Sequence, residues 1–492
     1  PKSARTTMSA VVAIIAWCFL SGPQGWMSLL MDGDTGFHIR VGDWILDHQA
    51  LPTSHPFSFS VPGREWFAFE WLSQVALSLV HAEFGLKGVT LGAGLLIGAV
   101  FALLARYSLW KGANPFIAVI TTLVAVNIAR IHFWARPHLF TWVFLVAAIW
   151  ILERERQRPS RWIWAVIPLM MLWANLHGGF VLFFVLLTLA VAGIAAEAWF
   201  SHREWRTVRR FAVVGIAAAG ASLVNPYGIR LLAHVFEIVS AGWLTTAVEE
   251  FKSPQFRTEP LMTFMALMFL SLALCGRLVA KRRYVEVLWI VFLAYSSLVA
   301  VRQAPIFALV AAPIVAAELS ELWTGVVRLA KPASVVRILD DVSESLRPAA
   351  ARGSVLPLAF VGFLVFAPDL SWPTDFPKDL FPTAIVNRHA SELAASRVFT
   401  TDQWSDYLIY RNYPKQRDYI DGQHQYYGER HVKDYVATVQ ADPSWKAVLD
   451  RFRFDYVLCP EKTPLVSVLR MDPHWRQIDS ADGNLMFAAV NR

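Results

Sequence analysis

Asp32 and Asp34, separated by one glycine and followed by His38, stand at the end of the first long apolar run of the chain. Two carboxylates so close can ligate a hard divalent cation such as Mg²⁺ or Mn²⁺, or one can take a proton as a general base. The plain alternative is a solvated turn, because Asp and Gly are ordinary turn residues. Position favours chemistry. A carboxylate at a membrane face is costly to desolvate and is retained there for a purpose.

Other polar residues fall on the same side of the apolar runs. Glu65 and Glu70 lie in an aromatic stretch, and Arg130, His132, Arg136 and His138 crowd one short turn. Asn175 and His177 precede Gly178-Gly179, Asn225-Pro226-Tyr227-Gly228 ends another run, and Arg302 sits between two more. Singly, each has a structural reading. Arginines at span ends snorkel, Asn and His bond neighbouring helices, and Asn-Pro-Tyr-Gly is a helix stop. Together they describe a cavity with carboxylates at one pole and Arg and His at the other. Guanidinium offers phosphate a planar fork of donors, so Arg136, His138 and Arg302 are candidates for binding a donor phosphate. His38, Glu70, Asn175 and His177 are candidates for the acceptor side or for support. Such a cavity suits group transfer from a polyprenyl phosphate whose chain enters from the bilayer.

The elements that must position these residues follow from composition. The chain has 492 residues, 55% of them hydrophobic and 17% charged, with a mean hydropathy of +0.41. That is a polytopic α-helical membrane protein. A net charge of +7 does not point to nucleic acid, because the cations cluster in short loops. Three cysteines make no disulfide framework. About eleven spans, each of roughly 20 apolar residues, have cores at 9–29, 86–109, 114–131, 138–153, 162–177, 179–200, 211–226, 261–280, 284–301, 303–323 and 354–368. The pair meeting at Gly178-Gly179 is either a tight hairpin or one broken helix. The first span has no cleavage signal and is expected to stay as an anchor.

Lys2 and Arg5, Arg106 and Lys111, Arg154 to Arg161, Arg203 to Arg210, Arg277 to Arg283, and Arg328, Lys331 and Arg337 all fall on one side. The positive-inside rule makes that side cytoplasmic, so the N-terminus is cytoplasmic and the aspartates face outward. In a bacterium this is the inner membrane, with the outer side periplasmic. The expected organisation is a transmembrane domain over 1–370 and a soluble outer-face α/β domain over 375–492. The first outer loop, 30–85, carries two amphipathic interfacial helices at 36–48 and 67–83. Strands are expected at 397–401, 418–420, 454–458 and 485–490, with a helix over 435–451. The segment 329–353 is a cytoplasmic linker. The tail has no Gly-rich phosphate loop, no CxxC pair and no Ser-His-Asp set.

This layout resembles the GT-C superfamily of integral-membrane glycosyltransferases, which includes protein O-mannosyltransferases, aminoarabinose transferases and oligosaccharyltransferases. The likeness rests on the acidic pair Asp32 and Asp34 after the first span, two helices in the first outer loop, and a soluble domain closing the chain. Asp34-Thr35-Gly36-Phe37-His38-Ile39-Arg40, Asn175-Leu176-His177-Gly178-Gly179, Asn225-Pro226-Tyr227-Gly228 and Tyr419-Ile420-Asp421-Gly422 are similar to segments of a bacterial branch. The resemblance implies that Asp32 or Asp34 acts as base or helps hold a metal. It implies an inverting transferase taking a lipid-linked sugar as donor, with membrane lipid and other membrane proteins as partners. No Trp-Trp-Asp motif is present, so a peptide sequon is not implied as acceptor. The competing expectation is a non-catalytic GT-C-like scaffold or accessory subunit of a membrane complex. A transporter fits less well, because its charges and broken helices belong at mid-membrane.

Overall fold

The computed structural model describes residues 25–201, 205–244, 248–350 and 372–490. The expected first span at 9–29 lies mostly, and the last at 354–368 wholly, outside the described residues. A short 3-10 turn at Gly25–Leu30 leads into α1 (Asp34–His48), and an irregular connection then reaches α2 (Trp71–Trp110). Gly85, at φ 61° and ψ −159°, interrupts α2. Glycine carries this break because a side chain at positive φ meets the backbone. The part before Gly85 is polar on one face and the part after it is apolar.

Helix α3 (Pro115–Ala129) starts on Asn114, whose side chain accepts the Phe116 N–H, with Pro at the first helical position. Next come α4 (His138–Gln157), α5 (Val166–Leu176), α6 (Val181–Ser201), α7 (Arg206–Ser222) and α8 (Ile229–Ser240). Then follow α9 (Glu259–Ala280), α10 (Tyr284–Val299), α11 (Ala304–Leu329) and α12 (Val335–Ala350). Extended backbone at His177 separates α5 from α6. The two then part company, α5 packing on α7 and α6 on α10.

Five helices among the described residues (α2, α3, α6, α9 and α11) are long and apolar enough to cross a bilayer. The shortfall from eleven has identifiable sources. Helices α5 and α10 are apolar but short, α4 and α7 carry charged turns at one end, and two expected spans fall on residues not described. The basic loops are not simply solvated. Lys111 meets Glu153 at 2.6 Å, Arg156 meets Glu197 at 2.9 Å, Arg283 meets Glu286 at 2.6 Å and Lys281 meets Glu318 at 2.7 Å. The Arg283–Glu286 pair lies within one helix end, whereas the other three tie neighbouring helices together.

The tail contains α13 (Thr383–Ala394), β1 (Val398–Phe399), α14 (Asp402–Asn412), α15 (His424–Tyr427), α16 (Glu429–Val439) and α17 (Trp445–Phe452). It ends with β2 (Tyr456–Pro460), α18 (Pro464–Leu469), β3 (Trp475–Ala481) and β4 (Asn484–Ala489). The sheet order is β1-β2-β4-β3, with β1 parallel to β2 and the other pairs antiparallel. Residues 418–420 are not a sheet strand. Asp418 instead bridges Ser58 in the first loop, with Phe59 N–H donating to Asp418 O at 3.0 Å and Asp418 N–H to Phe57 O at 2.9 Å. The helix expected over 435–451 is two helices, split where Ala441 turns left-handed at φ 59°. The sheet's edge strand β3 has a single buried residue, Trp475, and a bulge between Gln477 and Asp479, so it lacks the apolar alternation that marks a strand in sequence.

Helix α1 is sandwiched, not laid on a surface. Its Phe37, Val41 and Ile45 share an apolar cluster with Phe57 and Trp66 of the first loop and with Tyr419, Tyr426 and Phe487 of the tail. Each such buried side chain contributes about 1.5–3 kcal/mol. On its other side α1 meets α2 so closely that a Cβ on Gly42 would lie 2.1 Å from the Gln74 carbonyl oxygen. The tail is therefore built into the first loop rather than hung from it.

Candidate functional site

The first turn of α1 sets the site. Asp32 Oδ1 accepts the Asp34 N–H at 3.0 Å, which caps the helix entry and fixes both carboxylates on one side. The turn 130–138 is pinned against it. Thr35 Oγ1 donates to Ala135 O at 3.2 Å, and Ala135 N–H donates to Leu29 O at 2.9 Å. Arg136 follows directly and reaches back between the aspartates. One amino group lies 2.7 Å from Asp32 Oδ2, the other 2.5 Å from Asp34 Oδ2, and Glu250 Oε1 is 3.2 Å away. Sequence reasoning placed Arg136 at the phosphate pole, opposite the carboxylates. The structure corrects this, because the guanidinium spends its amino groups on three carboxylates.

Helix α14 covers the other side of the pair. It runs alongside α1 in the same direction, with Gly33 N–H donating to Gln403 Oε1 at 2.8 Å and Arg40 Nε to Tyr410 O at 2.7 Å. Between these contacts Asp406, fully buried, brings its carboxyl against that of Asp34. Gly422 makes the approach possible. A Cβ there would lie 2.1 Å from Asp34 Oδ1 and 3.1 Å from Asp406 Oδ2. Two touching carboxyl groups out of water cannot both ionise and must share a proton. Accordingly, burial first, and then Asp32 and Glu250, push Asp34 up to about 7 against the pull of Arg136. Burial and Asp34 push Asp406 well above the usual carboxylate range. Asp34 Oδ1 and Asp406 Oδ1 are buried without a direct hydrogen-bond donor.

A second group lies beside the first. Glu70 stands between His38, 3.6 Å away, and His177, 3.4 Å away. Gln74 donates to His38 Nδ1 and the Gly179 N–H donates to His177 Nδ1, so both rings turn Nε2 toward Glu70. Burial raises Glu70 to about 8. Burial lowers His38 well below its ordinary value and His177 to about 3. At neutral pH this is an uncharged network with a protonated carboxyl at its centre.

The remaining candidates divide. Arg302 stacks over the Phe251 ring at 4.5 Å and lies 4.0 Å from Glu250, with about a third of its side chain exposed. It is thus less committed than Arg136. His138 Nε2 is held by the His132 carbonyl at 2.9 Å, which makes it part of the turn rather than a free donor. Asn175 is saturated: it accepts from Trp71 Nε1 at 2.9 Å and donates to the Met171 and Val224 carbonyls at 2.8 Å each. It is a structural tie between α5, α2 and the end of α7, not an acceptor-side residue.

Sequence reasoning missed Glu250, Asp406 and Asp421. Each lies far along the chain from Asp34, and Glu250 and Asp406 sit in segments without a local motif. For Asp421 the signal was the Tyr-Ile-Asp-Gly segment already noted. His55, Asp418 and Asp421 also gather, with ligand atoms all within 4.8 Å of one another. The hydrogen bonds argue against a metal there. His55 Nδ1 accepts the Phe57 and Ser58 N–H groups, so Nε2 carries the proton and faces Asp421 Oδ2 at 2.9 Å. No ring lone pair is left for a cation. The pair instead fixes the turn that brings Gly422 to Asp34.

No protein-family model matches the chain, and no curated protein matches it by sequence. Solved structures do match it in fold. The Archaeoglobus fulgidus oligosaccharyltransferase in its apo form aligns over 98% of this chain and 74% of its own, with a TM-score of 0.55 and 12% identity. ArnT from Cupriavidus metallidurans, bound to undecaprenyl phosphate, aligns over 98% of this chain and 97% of its own, with a TM-score of 0.49 and 11% identity. The mycobacterial arabinofuranosyltransferase AftD aligns over 98% of this chain and 40% of its own, with a TM-score of 0.48 and 16% identity. The chain therefore shares the fold of the first of these structures, and five of its described helices are long and apolar enough to cross a membrane.

Proposed function

We propose that this chain is an integral-membrane glycosyltransferase. It takes a sugar or glycan from a polyprenyl-phosphate donor and passes it to an acceptor on the outer, periplasmic face of a bacterial inner membrane. The observation that carries the reading is Asp34. This buried carboxyl has one free oxygen, is held by Arg136, and is poised near pH 7 by its surroundings. A general base works best with a pKa close to the operating pH.

In the step proposed, the acceptor hydroxyl or amine attacks the anomeric carbon and gives its proton to Asp34. The bond from that carbon to the phosphate oxygen breaks, and the polyprenyl phosphate leaves with the electron pair. A single displacement inverts the anomeric centre. Arg302 is the cation best placed to meet the charge growing on the leaving phosphate, while Arg136 keeps Asp32, Asp34 and Glu250 in register. Oxygen-only donors suit Mg²⁺ or Mn²⁺, and Asp34 Oδ1 and Asp406 Oδ1 would hold such an ion in place of the proton. When bound, it would supply positive charge to the site, and Asp34 would then be its ligand instead of the base. Glu70, protonated between His38 and His177, can donate a hydrogen bond on the acceptor side.

A second reading, a GT-C-like scaffold or accessory subunit, draws on one observation. Asp32 and Asp34 are each only 4% exposed and already paired with a guanidinium. The test is transfer in membranes supplied with a pool of polyprenyl-phosphate sugars, comparing wild type with Asp32→Asn and Asp34→Asn, with and without chelator. Loss of transfer in folded variants supports the enzyme. No transfer by the wild type, together with a stable complex recovered in mild detergent, supports the scaffold.

A further inference from the structure

A cavity of about 610 Å³ lies on the face opposite the aspartates, lined by Trp164, Trp205, Arg206, Arg209, Arg210 and Val213. Its distance from the site follows from the helices. Helix α7 has 17 residues from Arg206 to Ser222, about 25 Å at ~1.5 Å per residue, which is close to the hydrocarbon thickness. Its far end is tied to Asn175, beside His177.

The lining has a clear charge balance. Arg210 is already neutralised by Glu155, 2.6 Å away, and donates to the Ser160 carbonyl at 3.1 Å. Arg206 and Arg209 are exposed and make no ion pair among the described residues. Two guanidinium forks thus face an open cavity whose walls include two indoles, each 43% exposed. Among the described residues no carboxylate lines it. Arginine matches the oxygens of a phosphate, and tryptophan prefers the headgroup level of a bilayer. The apolar strip continues up the same helix through Val213 and Ile216, which are 52% and 75% exposed. A soluble phosphate would leave that strip bare, whereas an acyl chain would cover it.

We propose that this cavity binds the phosphodiester headgroup of an anionic membrane lipid, in the leaflet opposite the Asp32–Asp34 site. Arg206 and Arg209 hold the phosphate, Trp164 and Trp205 flank the glycerol, and one acyl chain lies along α7 over Val213 and Ile216.

The test is native mass spectrometry of the purified full chain titrated with phosphatidylglycerol or with phosphatidylcholine of the same acyl chains. One phosphatidylglycerol is expected to bind in clear preference to phosphatidylcholine. Arg206→Gln with Arg209→Gln should weaken it roughly 25-fold, from roughly 5-fold per cation near an anionic headgroup. Arg328→Gln with Lys331→Gln, two exposed cations at the same face, should leave it unchanged. If the first double variant does not fold, Arg209→Gln alone should give the single 5-fold loss. Equal binding of the two lipids, an equal loss in the Arg328/Lys331 variant, or displacement by glycerol phosphate at matched concentration would each overturn the proposal.

Discussion

Replacing Asp34 by Asn should change how stability depends on pH, and the size of the change follows from the site. A carboxyl at 3.8 in the unfolded chain and about 7 when folded binds its proton more tightly in the native state. Its contribution is therefore fully present below pH 3.8 and is lost as pH rises through 7. The limiting slope is about 1.4 kcal/mol per pH unit. Integrated, the loss is about 2 kcal/mol between pH 5 and 7, and only a few tenths more between 7 and 8. The amide introduced by Asp34→Asn does not titrate. Its altered contact with Arg136 shifts the absolute stability by a constant, and the difference from wild type carries the slope. The assay is denaturant unfolding of both proteins in one detergent at pH 5, 6, 7 and 8. Wild type should lose ground to Asp34→Asn up to pH 7 and then run parallel to it. A constant difference from pH 5 to 7 would falsify the assignment of a proton to Asp34. The same proton should appear in catalysis, as an acid limb near pH 7 in kcat/KM for sugar transfer by the wild type.

Asp406, itself held protonated, lowers Asp34 by donating to it, so Asp406→Leu, which removes that donor, should move the acid limb up, and an unmoved limb means that the two carboxyls are not coupled. Gly422→Ala alters no titrating group but puts a methyl 2.1 Å from Asp34 Oδ1. Transfer should fall at least tenfold with folding retained, and full activity would show that the approach of the tail to α1 is not needed. Arg136→Gln strands buried carboxylates and should cost about 3–5 kcal/mol of stability, measured by the same unfolding, while Arg136→Lys should recover part of it without restoring the two-sided clamp. Divalent-cation affinity, read by titration calorimetry with Mn²⁺, should rise from pH 6 to 8, because cation and proton compete for the same oxygens. A pH-independent affinity would place the ion elsewhere.

Several features could be read without coordinates, because they depend on local periodicity and composition. The apolar runs that become α2, α3, α6, α9 and α11 were visible, since a helix crossing lipid must satisfy its backbone internally and cover itself with apolar side chains. The acidic pair at Asp32 and Asp34 stood out because carboxylates are rare at such a position. Arg136 was flagged for its chemistry, but not its partners, Asp32, Asp34 and Glu250. Charge type shows that a guanidinium can bind an anion, not which anion. Asn175 looked functional for a similar reason, because hydrogen-bond saturation depends on the carbonyls of Met171 and Val224 and on the Trp71 indole, which sequence does not bring together.

Only the folded chain decides the rest. Asp406 and Gly422 are more than 370 residues from Asp34, and no periodicity connects them. Their approach depends on α14 lying against α1 and on a turn held by His55 and Asp421. The ionisation of Asp34 is likewise a tertiary property. Its pKa is set by lost water, by Arg136 and by the neighbouring carboxyls, all supplied by other segments. Local sequence determined that this chain crosses a membrane and carries acid groups at one face. Long-range packing determined which of those groups holds a proton, because desolvation and charge proximity exist only once distant segments are brought together.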